Sequence, residues 1–292
     1  MLNPIKVSEE IKNSYIDYIT TSFDIADNDY ANEFLKKLNE DGMLAKGPYL
    51  DLGGSYQTGK TIQNLVNEGI VSNRFLELEP VSDKERELKL ERPLYLHQEE
   101  ALKKVSAGNN LVVTSGTGSG KTECFLIPII NHLLSEIDVD TLDDGVRAII
   151  IYPMNALAND QMKRMRLLLK YQRSIRFGLY NGNTEHTHSK AIEEYHRTFH
   201  DESGKPLEPL ENEIISREEM QKNPPHILIT NYSMLEYMML RPRDDAVFTG
   251  AKLKFIVLDE AHIYKGATGI ETSLLMRRLK ARINTPDKVQ YI

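Results

Sequence analysis

A chain of 292 residues is longer than one average domain and shorter than three, which predicts one large domain with a smaller appendage. With 40% hydrophobic and 27% charged residues and no apolar run near the roughly 18 to 20 needed to cross a bilayer, composition excludes a chain of membrane-spanning helices, and a single cysteine, Cys124, excludes an internal disulfide framework or a cysteine-rich zinc site. The net charge of −7 argues against coating nucleic acid by bulk electrostatics, but the acidity is local: 10 basic and 17 acidic side chains lie at or before Glu91, and 26 of each lie beyond it.

The opening MLNPIKVSEE has neither a basic patch followed by an apolar stretch nor an Arg-rich character, so a cytoplasmic location is expected. From about Pro4 to Lys46, apolar residues at helical spacing (Ile11, Tyr15, Ile19, Phe23, then Tyr30, Phe34, Leu38) predict two helices. A Gly/Pro-marked loop comes next from Gly47 to Gly59, then a short helix over Thr61–Asn67 ending at Gly69. The charge-dense Val81–Pro93 reads as a solvated linker, giving an accessory helical domain over 1–90 and a second domain over 91–292.

Beyond His97, helical patterns alternate with short aliphatic runs, the pattern of a parallel sheet covered by helices. The predicted strands are Leu111–Thr114, Val146–Tyr152, Ser174–Leu179, Ile227–Thr230, Leu253–Leu258 and Val289–Ile292. The predicted helices are His97–Ala107, Lys121–Ser135, Ala156–Tyr171, Tyr232–Leu240 and Gly269–Ile283, with a polar, partly helical insertion over Glu185–Asn223. Cys124 falls in the second of these helices, as a small buried side chain.

Two segments compete as phosphate loops. GSYQTGKT (Gly54–Thr61) matches G-x-x-x-x-G-K-[ST] literally, but PYLDLG is a poor buried strand and the helix after it breaks at Gly69. TSGTGSGKT (Thr114–Thr122) has Ser115 where the first glycine should be, yet NLVVT leads in and the long apolar ECFLIPIINHLL leads out. An anion needs rigidly held N–H groups facing the start of a long helix, so the second segment is the expected site. Its Ser115, Gly116, Thr117, Gly118, Ser119 and Gly120 would wrap the anion, Lys121 would meet the outer phosphates, and Thr122 would meet magnesium. In FIVLDEAH (Phe255–His262), Asp259 would bind magnesium and Glu260 would polarise the attacking water at the end of an apolar strand.

These residues resemble the DEAD/DEAH-box helicases of superfamily 2, in their first RecA-like lobe, over about Leu94–Ile292. LYLHQEEAL is similar to the Q motif, TSGTGSGKT to motif I, IIIYPMNALANDQ to motif Ia, TNYSML to motif Ib and DEAH to motif II. NPPHILITNYSMLEYMMLRPRDD and DEAHIYKGATGIETSLLMRRLKAR further resemble the large MrfA-like bacterial helicases of repair and phage defence, as does GPYLDLGGSYQTGKTIQNLVNEGI.

The resemblance implies an α/β fold with a RecA-like parallel sheet and flanking helices, a phosphate-loop NTPase lobe, beside a small, mainly helical N-terminal domain. It implies an ATP-dependent DNA helicase or translocase using ATP and Mg2+, with Gln98 reading the adenine edge and His262 coupling the nucleotide site to motif III. Pro153, Asn155, Ala156, Gly182, Thr184, Thr230 and Asn231 become candidate contacts to a nucleic-acid strand, expected to be DNA. For Thr230 and Asn231, ordinary helix capping is the competing reading. Motif III and a second RecA-like lobe lie outside this sequence, so a fragment of a longer protein with weak activity alone is expected, together with defence or repair partners and no membrane. A nucleotide-gated scaffold module and an RNA helicase are the alternatives.

Overall fold

The computed structural model describes residues 3–40, 42–47, 49, 54–78, 90–116, 118–201, 203–283 and 289–292. The chain forms two compact units, Met1–Ser55 and Tyr56–Ile292. This division precedes the boundary expected near residue 90, because Ile62, Leu65, Phe75 and Leu78 join the hydrophobic core of the larger unit. The expected linker falls largely on 79–89, outside the described residues.

In the first unit, α1 (Pro4–Ser22) starts at Asn3, whose side chain accepts the N–H groups of Ile5 and Lys6, with Pro4 in the first turn, where its missing N–H costs nothing. Asp27 caps α2 (Asn28–Asn39) in the same way. Both predicted helices form, but Ile16 and Leu38 alone are buried among their described residues, and Ile11, Tyr15, Phe23 and Tyr30 stay exposed.

The second unit opens with β1 (Thr58–Thr61) and α3 (Ile62–Asn67); β1 pairs antiparallel with β2 (Pro93–Tyr95), which leads into α4 (Leu96–Ser106). Then come α5 (Glu123–Asp138), β3 (Ala148–Tyr152), α6 (Asn155–Leu169), β4 (Phe177–Tyr180), α7 (His188–Thr198), β5 (Glu213–Ile214), α8 (Arg217–Lys222), β6 (Ile227–Asn231), α9 (Tyr232–Leu240), α10 (Asp245–Phe248), β7 (Phe255–Leu258), α11 (Gly266–Ile283) and β8 (Gln290–Tyr291). Six of these strands make one parallel sheet in the order β5-β4-β6-β3-β7-β8.

A parallel sheet is covered on both faces, so its central strands read as unbroken apolar runs. In β3, AIIIY, every residue is buried. Alternate side chains then serve two cores. Ala148, Ile150 and Tyr152 pack with α4, α5 and α6, whereas Ile149 and Ile151 pack with α9, α10 and α11. The RecA-like, helix-flanked sheet expected from sequence is thus the fold of this unit.

One predicted strand does not form. Leu111–Thr114 runs beside β8 at the sheet edge, where the Leu111 N–H donates to the Tyr291 carbonyl (2.9 Å) and Asn110 Oδ1 accepts the Tyr291 N–H (2.9 Å). No ladder continues from there, since β8 is two residues long and Val112 is 86% exposed.

Candidate active site

In an open parallel sheet, the loops at the carboxyl ends of the strands gather at one edge, where ligands bind. Here those loops carry Pro153–Asn155 after β3, Asn181–Thr184 after β4, Asn231 at the end of β6 and Asp259–Glu260 after β7. Residues 115–122 precede α5, a helix of 16 residues whose first turn faces that loop.

The loop is shaped by glycine. Gly118 (φ 74°) and Gly120 (φ 72°) lie in the left-handed region that side chains avoid. A Cβ on Gly120 would also stand 2.3 Å from Gln98 Nε2 and 2.9 Å from Glu123 Oε2. The hydroxyls of Ser115 and Ser119 join across the loop at 2.6 Å. Lys121 Nζ donates to the carbonyls of Ser115 (3.0 Å) and Gly116 (3.2 Å), so the ammonium is held over the loop. Thr122 makes no capping bond with its side chain, which leaves the hydroxyl to another partner. Thr117 lies outside the described residues.

Residues from α4 brace this loop from below. Gln98 is 2% exposed; its Nε2 donates to the Gly120 carbonyl (2.9 Å) and its Oε1 accepts the Tyr95 N–H (2.8 Å). Both ends of the amide are therefore engaged with backbone, so it acts as a strut under the loop rather than presenting a free edge to a base. His97 Nε2 donates to the Ser119 carbonyl at 3.0 Å. Glu123, at the start of α5, is paired with Arg164 of α6 at 2.9 Å. Sequence patterning gave no reason to select His97 or Arg164, because their value lies in contacts 22 and 41 residues away.

Beyond β7, the Asp259 N–H donates to the Ile151 carbonyl (3.1 Å), and Asp259 Oδ1 accepts the Glu260 N–H (3.0 Å). Glu260 has φ 50°, a left-handed conformation that turns the chain sharply. Burial pushes the Asp259 carboxyl above the usual range; the Glu260 charge adds to this, while the Glu260 N–H and the Lys121 charge oppose it. Burial and the Asp259 charge likewise push the Tyr264 phenol up to about 12 and the Tyr152 phenol well above its ordinary value. His262 is 75% exposed, with Nδ1 at 3.2 Å from Glu260 Oε2.

The candidate strand-contacting residues divide into two groups. Asn231 Nδ2 donates to Asn155 Oδ1 (2.8 Å) and Asn231 Oδ1 caps α9 by accepting the Met234 N–H (2.7 Å), which joins the loops after β3 and β6. Pro153 is half-buried, while Ala156 and Gly182 are exposed at the same edge. Thr230 and Thr184 are corrections. Thr230 Oγ1 donates to the Tyr180 carbonyl (2.7 Å) and is fully buried, and Thr184 Oγ1 donates to the Leu179 carbonyl (2.9 Å) while accepting the Asn181 N–H (2.8 Å). Their hydroxyls hold β4 and its turn instead of facing a ligand.

GSYQTGKT has a different geometry. Thr58–Thr61 is itself strand β1, Lys60 Nζ is tied to Glu68 at 2.6 Å, and Thr61 caps the six-residue α3. Tyr56 of the same segment reaches the neighbouring loop, with its hydroxyl 2.9 Å from where a Cβ on Gly116 would stand.

Residues 95–292 match the DEAD/DEAH box helicase family. Among curated proteins, the chain is 32% identical to Druantia protein DruE of Escherichia coli, covering 92% of this chain and 19% of that protein. It is 30% identical to the ATP-dependent helicase YprA of Bacillus subtilis, covering 64% and 20%. The chain thus spans about a fifth of the length of these relatives. Among solved structures, the DUF1998 helicase MrfA bound to DNA superposes with a TM-score of 0.57 at 23% identity, covering 82% of this chain and 27% of that one. The DEAD-box helicase Mss116 bound to single-stranded RNA gives 0.57 at 18% identity, covering 81% and 41%.

Proposed function

The chain belongs to the DEAD/DEAH box helicase family, and from that premise we propose that it is the ATP-binding lobe of a translocase that couples magnesium-dependent ATP hydrolysis to movement on DNA, in repair or phage defence. The observation that carries the nucleotide part is the convergence of the 115–122 loop and Asp259 at one edge of one sheet, with the Lys121 ammonium close enough to bear on the Asp259 carboxyl. The choice of DNA rests on the DNA-bound relative and on the resemblance to MrfA-like proteins.

The donor set fits a nucleotide triphosphate with magnesium. Left-handed glycines keep the loop open to an anion, the Thr122 hydroxyl is uncommitted to the helix, and a desolvated carboxylate stands across from the loop. Lys121 would release its two carbonyls to neutralise the outer phosphates, and Thr122 and Asp259 would hold the metal. When bound, magnesium supplies charge neutralisation to the phosphoryl group being transferred. Glu260 would orient the attacking water and accept its proton, while His262 holds the Glu260 carboxylate on its outer side. In this proposal a second RecA-like lobe, from the greater length that the relatives have, completes the site and raises the rate.

A titration of labelled ATP with and without magnesium tests the reading. Binding that needs the metal and is lost in Asp259→Asn supports it; metal-independent binding, or binding unaffected by that change, sinks it. Comparison of single-stranded DNA with RNA of equal length decides the strand, and tighter RNA binding would replace DNA in the proposal.

A further inference from the structure

A cleft of about 480 Å³ lies between α8, the turn after β4 and the segment after α9, apart from the phosphate loop. Four of the eight residues lining it are basic or imidazole side chains: His186, Arg217, Arg241 and Arg243. Arg217 is fixed in place, since its Nη2 donates to the carbonyls of Asn181 (3.3 Å) and Gly182 (3.4 Å) and its guanidinium lies 5.4 Å from the centre of the Tyr180 ring. Arg241 packs over the exposed ring of Tyr237 at 5.2 Å.

Charge pairing nearby makes this cleft unusual. On the adjoining helices, Arg278 pairs with Glu236 and Arg282 with Asp245. Among the described residues, Arg217, Arg241 and Arg243 have no carboxylate partner, although the chain has 43 acidic residues against 36 basic ones. The one acid that lines the cleft, Asp244, is 2% exposed and is turned to the Tyr180 hydroxyl (2.6 Å) and Gln221 Nε2 (3.0 Å). A ligand entering the cleft would therefore meet guanidinium groups, with the carboxylate behind them.

We propose that this cleft is a phosphodiester site, in which Arg241 and Arg243 grip the backbone of a nucleic-acid strand beyond the Gly182 turn, with Arg217 as the fixed wall between turn and cleft. Planar guanidinium groups left without carboxylate partners suit phosphate oxygens, and contacts of this kind position a strand without reading its sequence. The inference rests on the nucleic-acid part of the proposed function and names where the strand would leave the carboxyl edge of the sheet.

The test is fluorescence anisotropy of a labelled ~20-nucleotide single strand across about 50 to 300 mM salt, with the chain as wild type, as Arg241→Ala/Arg243→Ala and as Arg197→Ala/Lys205→Ala. The last variant removes the same charge from the exposed α7 region. The expected result is about tenfold weaker binding for the Arg241/Arg243 variant, with the slope of log affinity against log salt reduced by about 1 to 2, and no slope change in the α7 variant. Equal slopes for the Arg241/Arg243 variant and the wild type, with the wild type binding, overturn the cleft and leave the nucleic-acid reading intact. A wild type that binds no strand overturns both. Inorganic phosphate bound by the wild type and lost from the Arg241/Arg243 variant, with strand affinity and salt slope unchanged between the two, would give the cleft to a free phosphate and overturn the strand assignment.

Discussion

Two segments of this chain end in Gly-Lys-Thr, and they fold in opposite ways. GSYQTGKT satisfies the literal phosphate-loop pattern, yet its last four residues are β1 and its lysine is neutralised by Glu68. TSGTGSGKT departs from the pattern at Ser115, yet its glycines hold the loop in left-handed turns and its lysine folds onto its own carbonyls, with α5 behind it. The difference is made by the helix on the C-terminal side of each segment. α3 has six residues, too few to present an aligned dipole, whereas α5 has 16 and buries nine side chains that anchor its N-terminus. On the proposed assignment, a phosphate loop is a property of the helix behind it as much as of the glycines within it.

The largest expected effect would break this contrast most directly. Lys121→Ala should weaken magnesium-dependent ATP binding on the order of 100-fold, the scale of losing a charge-assisted contact to phosphate, and Lys60→Ala should leave it within about twofold. Calorimetric titration of both variants checks the pair, and a loss confined to Lys60→Ala would reverse the assignment. Next in size are the glycines. A Cβ at Gly120 would meet Gln98 Nε2 at 2.3 Å in a left-handed backbone, and one at Gly59 would meet Glu99 Oε2 at 2.2 Å. Each alanine variant should lose about 1 to 3 kcal/mol of stability in thermal melts, but only Gly120→Ala should also weaken ATP binding. Loss of ATP binding in both would mean that the segments work as one site.

Much of this architecture is legible in the sequence because burial on both faces leaves a strong signal. AIIIY could only be a central strand, and Tyr232–Leu240 has the bounds read from its pattern because Asn231 caps it. Where structure depends on distant partners, the signal fails. β5 is two residues long, with a charged Glu213 that is buried only because Arg166 and Tyr195 meet it. Leu111–Thr114 has a strand's composition but borders a two-residue neighbour, so only one ladder bond forms. At the edge of the sheet, position after a strand and the family resemblance marked Thr230 and Thr184 as readily as Asn231, and only the folded geometry tells a hydroxyl spent on a carbonyl from a side chain that links two loops.

A smaller effect sharpens the same comparison through acidity. Beside the literal motif, Glu99 is held below the usual carboxylate range by its hydrogen bond from Lys103 and by the Lys60 N–H. Beside the other loop, Asp259 is held above that range, chiefly by burial. A depressed carboxylate contributes stability at neutral pH that is lost as pH falls through its native value, so Glu99→Gln should lower the melting temperature at pH 7, with the difference closing under acid. A raised carboxylate has the opposite sign. Its ionised form costs stability at neutral pH, and that cost is relieved as pH falls through the native value toward the unfolded one near 4. Asp259→Asn should therefore raise the melting temperature at pH 7 by a few degrees, with the gain shrinking on acidification. A stabilising change that removes metal-dependent ATP binding would mark Asp259 as a residue kept at a cost to the fold, whereas a destabilising one would mean that its hydrogen bond to the Glu260 N–H outweighs its burial.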